Sequence, residues 1–290
     1  MTVLLALSIV QSDPYMLDIG RGGSVTVDAG LTSTITGRSA SMEDVVKAAE
    51  GLQFVVVGES HDQLAHHQLQ ADVIQALVDA GRDVVVGFEM FTRDNQENMA
   101  PWSMGYWTDE EFQEKANWKT QWGFDYAIYK PIFDVVKGEK LPIRALNVPR
   151  DWIRQVGRNG PSILTPEQRE WAPDIDTGYE PHRRLFTSMM GGHPMTGAQG
   201  ENVYSAQVTW DEGMATSALD YMNTRVSDNL VMVIIAGSGH MMYDTGINYR
   251  IWKKTGQESL NITCITSAEA REVSRGISEF VFVSRPTEGE

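Results

Sequence analysis

The sequence predicts an α/β fold in which a central parallel or mixed sheet is flanked by helices on both faces. Four short segments are continuously apolar, which is typical of parallel strands that are buried on both faces. Helical patterns separate these segments, and strands that alternate with helices indicate βαβ units. The predicted strands are residues 54–57, 84–88, 143–146 and 230–236.

Helices are expected between and after these strands. Residues 63–80 carry Leu69, Val73 and Leu77 on one stripe, and Gly81 follows as a C-terminal stop. Capping signals at residues 41–44, 108–111 and 165–168 each predict the start of a helix. Longer patterns predict helices over residues 203–222 and 248–255. Two later apolar segments, residues 262–265 and 280–283, are expected to add strands at the edge of the sheet.

The chain is expected to form a single domain over residues 41–290, with residues 1–40 as an N-terminal segment that packs on it. Residues 91–137 are predicted to be a helical insertion that is rich in aromatic side chains and covers one end of the sheet. The glycine-rich residues 191–200 are predicted to be a surface loop, since glycine and polar residues favour turns over regular structure.

Composition narrows the class of protein. The 290 residues include 24 basic and 39 acidic side chains, a net charge of -15, which argues against nucleic acid as a partner. The one cysteine, Cys264, lies in an apolar stretch and is expected to be a buried thiol, so no internal disulfide is expected. No apolar run is long enough for a membrane span. The apolar residues 3–10 are compatible with the core of a signal peptide, but no lipid-accepting cysteine follows, so the compartment is left open.

Polar side chains follow each of the four predicted strands. Because the carboxyl ends of parallel strands meet at one edge of a sheet, and ligands of open α/β sheets bind there, these side chains are expected to gather at one rim. Two of the segments repeat a Gly-x-x-His pattern, at residues 58–61 and 237–240. The candidate site residues are Glu59, His61, Glu89, Asn147 and His240, with Arg150 just beyond.

Two imidazoles beside two carboxylates suit two kinds of chemistry. They can bind a divalent metal such as zinc, manganese or iron(II), or they can act as general acid and base without a metal. His66 and His67, on the following helix, are expected to be structural, and His182 and His193 to be solvated. Residues 58–62 resemble the nucleophile turn of a serine hydrolase, but Asp62 stands where that turn needs glycine.

The ordered set of motifs between residues 54 and 250 resembles the ChaN-like haem-binding proteins, which are related to the Tiki peptidases and the erythromycin esterases. Each motif alone is weak, and the ordered set is specific. Asn248 stands where the family usually has proline, and the lipoprotein cysteine common in the family is absent, which puts membrane anchoring in doubt. The motifs are residues 58–62 and 66–68, 88–91 and 95–96, 122, 129 and 131, 145–150, 206–207, 210–212 and 214–215, 236–240, 246–247 and 250.

The resemblance implies haem binding linked to iron acquisition, with ligation of the iron by tyrosine and a pair of haems held between the two subunits of a homodimer. Tyr126 and Tyr129 are the candidate iron ligands, and Arg93, Arg150 and Arg250 the candidate partners of the propionates.

The alternative that the resemblance implies is a metal-dependent peptidase or other hydrolase of the Tiki type. It would act on a peptide or small molecule through His61 and His240 with Glu59 or Glu89, around zinc, manganese or iron. A non-catalytic scaffold that retains a vestigial site is a third interpretation.

Overall fold

The computed structural model describes residues 13–191, 196–225 and 227–287. The described residues form ten strands in two sheets. The apolar residues 3–10 and His193 lie outside the described residues. The strands are β1 (Ser24–Val27), β2 (Gly30–Ser33), β3 (Arg38–Ser39), β4 (Phe54–Glu59), β5 (Asp83–Thr92), β6 (Ile143–Asn147), β7 (Leu230–Gly237), β8 (Ser259–Thr266), β9 (Arg271–Ser274) and β10 (Phe280–Ser284).

The main sheet is mixed and has eight strands in the order β3-β2-β10-β8-β4-β7-β5-β6. The six strands from β10 to β6 are parallel, so their carboxyl ends meet at one edge, whereas β2 and β3 are antiparallel. The second sheet consists of β1 and β9, paired antiparallel. The predicted α/β fold with a mixed sheet is therefore confirmed.

The prediction that residues 262–265 and 280–283 lie at the edge of the sheet is wrong. They belong to β8 and β10, which lie inside the sheet because β2 pairs with the free side of β10 and β3 pairs with β2. The N-terminal residues up to Ser39 thus contribute strands to both sheets. β2 and β3 are too short, and too variably buried, to produce a periodic apolar signal in the sequence.

The helices cover both faces of the main sheet, and those predicted from capping signals begin where expected. Ser41, Thr108 and Thr165 each cap a helix through the reciprocal hydrogen bonds of a capping box. The helices are α1 (Met42–Ala48), α2 (Leu64–Asp79), α3 (Met99–Ser103), α4 (Asp109–Lys115), α5 (Trp118–Gln121), α6 (Tyr126–Gly138), α7 (Arg150–Asn159), α8 (Pro166–Trp171), α9 (Glu180–Met189), α10 (Gly197–Met222) and α11 (Ile247–Thr255).

The long helix α10 begins at Gly197, six residues earlier than the sequence pattern suggests. Residues 197–200 are therefore helical and not part of a loop, while residues 192–195 lie outside the described residues. No helix in the described ranges is long and apolar enough to cross a membrane.

The central strands bury side chains on both faces, which explains their continuous apolar sequences. In β4, Val55 and Val57 belong to the core on one side of the sheet, and Phe54 and Val56 to the core on the other. Burial of a large apolar side chain stabilises the fold by about 1.5–3 kcal/mol. Both faces of the sheet are therefore packed against other parts of the fold.

The aromatic insertion is a closed core. Trp102 stacks on Phe112 with ring centroids 4.2 Å apart, and Phe133 meets Trp102 edge to face at 5.3 Å. All three rings are fully buried. This cluster packs between the helices of the insertion and the sheet, so most of its aromatic side chains are structural.

Candidate functional site

Three neighbouring parallel strands bring the predicted rim residues together. Glu59 ends β4 and lies opposite Gly237, the last residue of β7. Glu89 lies in β5, on the other side of β7, and its Oε2 accepts a hydrogen bond of 2.7 Å from the main-chain N–H of Gly237. A 3-10 helix at Ser238–His240 then carries His240 back over the strand ends.

Glu59 is the centre of the first group of polar contacts. The Nδ1–H of His61 and the hydroxyl of Tyr129 both donate to its Oε1, each at 2.7 Å. Its Oε2 lies 3.3 Å from Nε2 of His67, whose Nδ1 donates to the carbonyl of Ile128 at 2.8 Å. Burial disfavours the charged carboxylate, but the hydrogen bonds from the two histidines outweigh it and hold the pKa of Glu59 below its usual range. Glu59 is therefore a buried carboxylate that fixes the ring of His61.

His61 is the most open member of the group. Its side chain is 30% exposed, and its ring meets Trp122 edge to face with centroids 4.6 Å apart. Burial lowers the pKa of His61, yet the hydrogen bond to Glu59 and the charge of Glu89 raise it above its ordinary value overall.

His240 is the centre of the second group. Its Nδ1 lies 2.5 Å from Oδ1 of Asp211, and its Nε2 lies 3.3 Å from Oε1 of Glu89. Burial opposes the imidazolium, but Glu89 and Asp211 raise the pKa of His240 to about 10. Burial also opposes ionisation of Asp211, and the positive charges of His240 and Arg250 lower its pKa. His240 is therefore a buried imidazolium held between the carboxylates of Glu89 and Asp211.

Asp211 also holds a second histidine. Its Oδ2 lies 2.9 Å from Nε2 of His182 and 3.5 Å from the guanidinium of Arg250. Nδ1 of His182 lies 2.9 Å from the hydroxyl of Tyr204. Asp211 thus joins helices α9, α10 and α11 to the end of β7.

Asp211 and His67 were not among the site residues predicted from the sequence, and the prediction that His182 is solvated is wrong. His182 is buried because α9 lays it against Tyr204 of α10. Asp211 and His67 lie in helices, beside other polar residues. Polar residues of a helix more often face solvent than a buried site. The one signal for Asp211 was its place in the family motif at residues 210–212.

The rim cavity is the space that the two groups enclose. It has a volume of about 370 Å³. Polar side chains such as Glu59 and the histidines form its floor, and most of its walls are apolar. Met189 and Met190 belong to these walls and are partly exposed to solvent. A cavity of about 410 Å³ that contains none of the rim histidines lies elsewhere, between Arg21, Tyr249 and Trp252. The rim cavity is lined by Pro14, Tyr15, Glu59, Ser60, His61, His182, Phe186, Met189, Met190, Gln207, Gly237, Ser238, Gly239, His240 and Met242.

The two tyrosines suggested as iron ligands do not line the rim cavity. Tyr129 is fully buried beneath it, and its hydroxyl donates to Glu59 and to the carbonyl of His61. Tyr126 is buried in the aromatic core, where it stacks on Phe133. Burial raises the pKa of both phenols above the usual value. In this structure both side chains have packing or hydrogen-bonding roles.

Asn147, Arg150 and Arg250 also lie outside the cavity lining, as does Arg93, which pairs with Asp220. The side-chain amide of Asn147 donates to the carbonyl of Glu89 at 2.9 Å, which fixes that part of β5. Arg250 is buried, and its guanidinium donates to the carbonyls of Thr245 and Gly246. Arg150 begins α7 and is exposed. Asn147 and Arg250 therefore stabilise the main chain next to the rim residues and do not face the cavity.

The raised pKa of His240 predicts how the free energy of unfolding depends on pH. A group whose folded pKa is raised stabilises the fold below its unfolded pKa, near 6.5, and this contribution is lost as the pH rises through the folded value of about 10. We expect the free energy of unfolding to fall between pH 7 and 9 by up to ~1.4 kcal/mol per pH unit from this proton. Urea unfolding at several pH values measures it. The slope should be smaller in His240→Gln, and an equal slope in both proteins would contradict the assignment.

The sequence model of the family described as "Haem-binding uptake, Tiki superfamily, ChaN" matches residues 45–251. A solved structure of ChaN from Campylobacter jejuni with cofacially bound haem is similar to this chain with a TM-score of 0.65. The two share 20% identity over 87% of this chain and 95% of that one. The type III effector HopBA1 is similar with a TM-score of 0.50 and 12% identity, over 90% and 98% of the two chains. No curated protein sequence matches the chain.

Proposed function

The chain belongs to the ChaN family of haem-binding uptake proteins in the Tiki superfamily, and from this premise we propose that it binds haem in the rim cavity. The observation that carries the proposal is the composition of that cavity. A porphyrin needs an apolar slot and a donor atom for its iron, and the rim cavity offers methionine and phenylalanine side chains beside histidine. A role in the acquisition of haem or iron, with haem as the cargo, is part of this proposal.

The two glycines of the cavity floor let neighbouring side chains approach the main chain. The segment from Gly237 to Gly239 lines the cavity, and an ideal Cβ at Gly239 would lie only 2.7 Å from Cε of Met189. A Cβ at Gly237 would lie only 2.9 Å from Cε1 of His61, so glycine also gives this histidine its position. The apolar walls would cover one face of the porphyrin.

The volume of the cavity favours a haem that is covered by two copies of the chain. At about 370 Å³ the cavity is near the lower end of ligand sites, so a porphyrin would extend beyond it. The Campylobacter jejuni ChaN structure contains haem bound cofacially. We extend the proposal to a homodimer in which two copies cover the exposed faces of their haems. Addition of hemin should then shift the elution of the protein towards the dimer in size-exclusion chromatography.

The methionine wall provides a test with a matched control. Met190 lines the cavity and is 44% exposed, while Met104, which does not line it, is 46% exposed. Because a carboxylate loses its hydration when a porphyrin covers it, Met190→Glu should weaken hemin binding by roughly tenfold or more. Met104→Glu should bind hemin like the unchanged protein. Titration followed by the Soret band measures both, and equal affinities in the two variants would count against the rim cavity.

A second candidate function, hydrolysis, has one observation in its favour. Nδ1 of His61 donates to Glu59, which is the arrangement that orients a general base, and the imidazolium of His240, held by Asp211, could serve as an acid beside it. No group of three or more His, Cys, Asp and Glu side chains in the described ranges is arranged to hold a metal ion.

A panel of ester and peptide substrates, with and without added zinc or manganese, tests this candidate. Turnover that is lost in both His61→Ala and His240→Ala would support hydrolysis. Absence of turnover together with saturable hemin binding would favour haem binding alone.

A further inference from the structure

The second cavity, between Arg21, Tyr249 and Trp252, lies at the edge of the main sheet opposite the rim. Ser259 begins β8 and Glu279 directly precedes β10, so the cavity lies at the amino ends of two parallel strands. It shares no lining residue with the rim cavity. Its volume of about 410 Å³ is within the range of sites that enclose small molecules. The second cavity is therefore a separate place where a ligand could bind.

Aromatic rings form one wall of the second cavity. Tyr179 and Tyr249 stack with their ring centroids 3.7 Å apart and their planes 5° apart, and the centroid of Trp252 lies 6.0 Å from that of Tyr249. Trp252 is 53% exposed, so much of its ring contacts solvent and not other side chains. The faces of aromatic rings attract cations, and the tryptophan ring does so most strongly. This wall offers an apolar surface that favours positive charge.

The rest of the lining has an excess of negative charge. The cavity is lined by three carboxylates, those of Asp244, Glu258 and Glu279, and by one guanidinium, that of Arg21. Arg21 donates to Oε1 of Glu279 at 2.8 Å, so these two charges balance each other. Asp244 and Glu258 have no ion pair with the described residues. Their charges are therefore left for a ligand.

A network of two asparagines fixes Asp244 in the cavity wall. Its Oδ1 accepts hydrogen bonds from the side-chain amides of Asn261 at 2.7 Å and Asn248 at 3.2 Å. Asn248 also donates to Oδ1 of Asn261 at 3.1 Å, and both asparagines are buried. Oδ2 of Asp244 makes no hydrogen bond to the described residues. One oxygen of the carboxylate is thus held in place, and the other is available.

We infer that the second cavity binds a small organic cation that carries apolar groups, such as a quaternary ammonium compound. The apolar groups and the diffuse charge would contact the rings of Tyr249 and Trp252, and Asp244 and Glu258 would balance the charge. A bare metal ion would gain little from the aromatic wall, and a neutral ligand would gain nothing from the excess of carboxylates. The inference does not depend on haem binding at the rim.

Calorimetric titration with choline tests the inference. The matched control ligand is the neutral carbon analogue of choline, in which a tert-butyl group replaces the trimethylammonium group and the shape is kept. Choline should bind saturably, and the neutral analogue should bind about tenfold more weakly or less. If choline does not bind, the site is overturned. Equal affinities for the two ligands would overturn the assignment of a cation.

Trp252→Ala locates the choline on the aromatic wall. This variant should bind choline about 2–30-fold more weakly, the range between exposed and desolvated contacts of a cation with a ring. Tyr106→Ala is the control, because Tyr106 is also an exposed aromatic residue, at 76%, and does not line the cavity. Unchanged affinity in Trp252→Ala, or an equal loss in Tyr106→Ala, would contradict binding in the second cavity.

The dependence of choline binding on pH gives an independent readout. Withdrawal of Asp244 from bulk water and the nearby charge of Glu279 raise its pKa to about 7, although Arg21 opposes them. Glu258 and Tyr179 are the other titratable groups that face it. Because protonated Asp244 has no charge, choline affinity should rise as the pH increases from about 6 to about 8. Asp244→Asn should remove this rise. A flat profile in the unchanged protein would contradict a cation beside Asp244.

Discussion

Asp211→Ala is expected to lower the free energy of unfolding by about 3–5 kcal/mol, the cost of breaking a buried ion pair on one side only. The carboxylate is fully buried and lies within 3.5 Å of His240, His182 and Arg250. Its removal leaves a buried imidazolium and a buried guanidinium without their shared anion. The same variant should also lower the pKa of His240, because one of its two carboxylate partners is lost.

Asp220→Ala is the matched control, since Asp220 lies on the same helix α10. Its carboxylate is 50% exposed and pairs with Arg93 at 2.8 Å. An exposed ion pair contributes no more than about 1 kcal/mol, so this variant should unfold at nearly the same urea concentration as the unchanged protein. Equal unfolding midpoints for Asp211→Ala and Asp220→Ala would mean that the contacts of Asp211 with His240, His182 and Arg250 do not stabilise the fold.

The second large effect is expected in the aromatic insertion. Trp102→Ala should destabilise the protein by about 3–5 kcal/mol, because it removes a fully buried ring that packs on Phe112 and Phe133. The indole N–H also donates to Asp109 at 3.1 Å. Since Trp102 does not line the rim cavity, the folded variant should keep the hemin affinity of the unchanged protein.

The control for this prediction is Trp252→Ala, which truncates an exposed tryptophan. Its unfolding midpoint in urea should stay close to that of the unchanged protein. Loss of hemin binding by Trp102→Ala under conditions where it is folded would mean that the insertion, and not the rim, holds the porphyrin.

Much of the fold could be predicted because the buried parallel strands carry an unmistakable apolar pattern. The segments around Phe54, Val84, Ile143 and Leu230 are all strands, and their alternation with helices gives the parallel arrangement. The hairpin of β2 and β3 was missed because its strands are four and two residues long. Its absence from the prediction is the reason that β8 and β10 were expected at the sheet edge.

The site was predictable in location and less so in composition. Glu59, His61, Glu89 and His240 follow strand ends, and the topology of a parallel sheet brings such residues together. Asp211 comes from the middle of a helix, where an acidic residue is ordinarily solvated. The direction of the Tyr129 hydroxyl, towards Glu59 and away from the cavity, depends on the packing of α6 against α2, and a sequence pattern does not contain it.

The position of iron in the haem-loaded protein tests the central claim most directly. Crystals of the hemin complex, measured at the iron absorption edge, give that position as a peak in the anomalous difference map. We predict the strongest peak in the rim cavity. A peak beside Tyr126 or Tyr129, or one outside the rim cavity, would contradict the account.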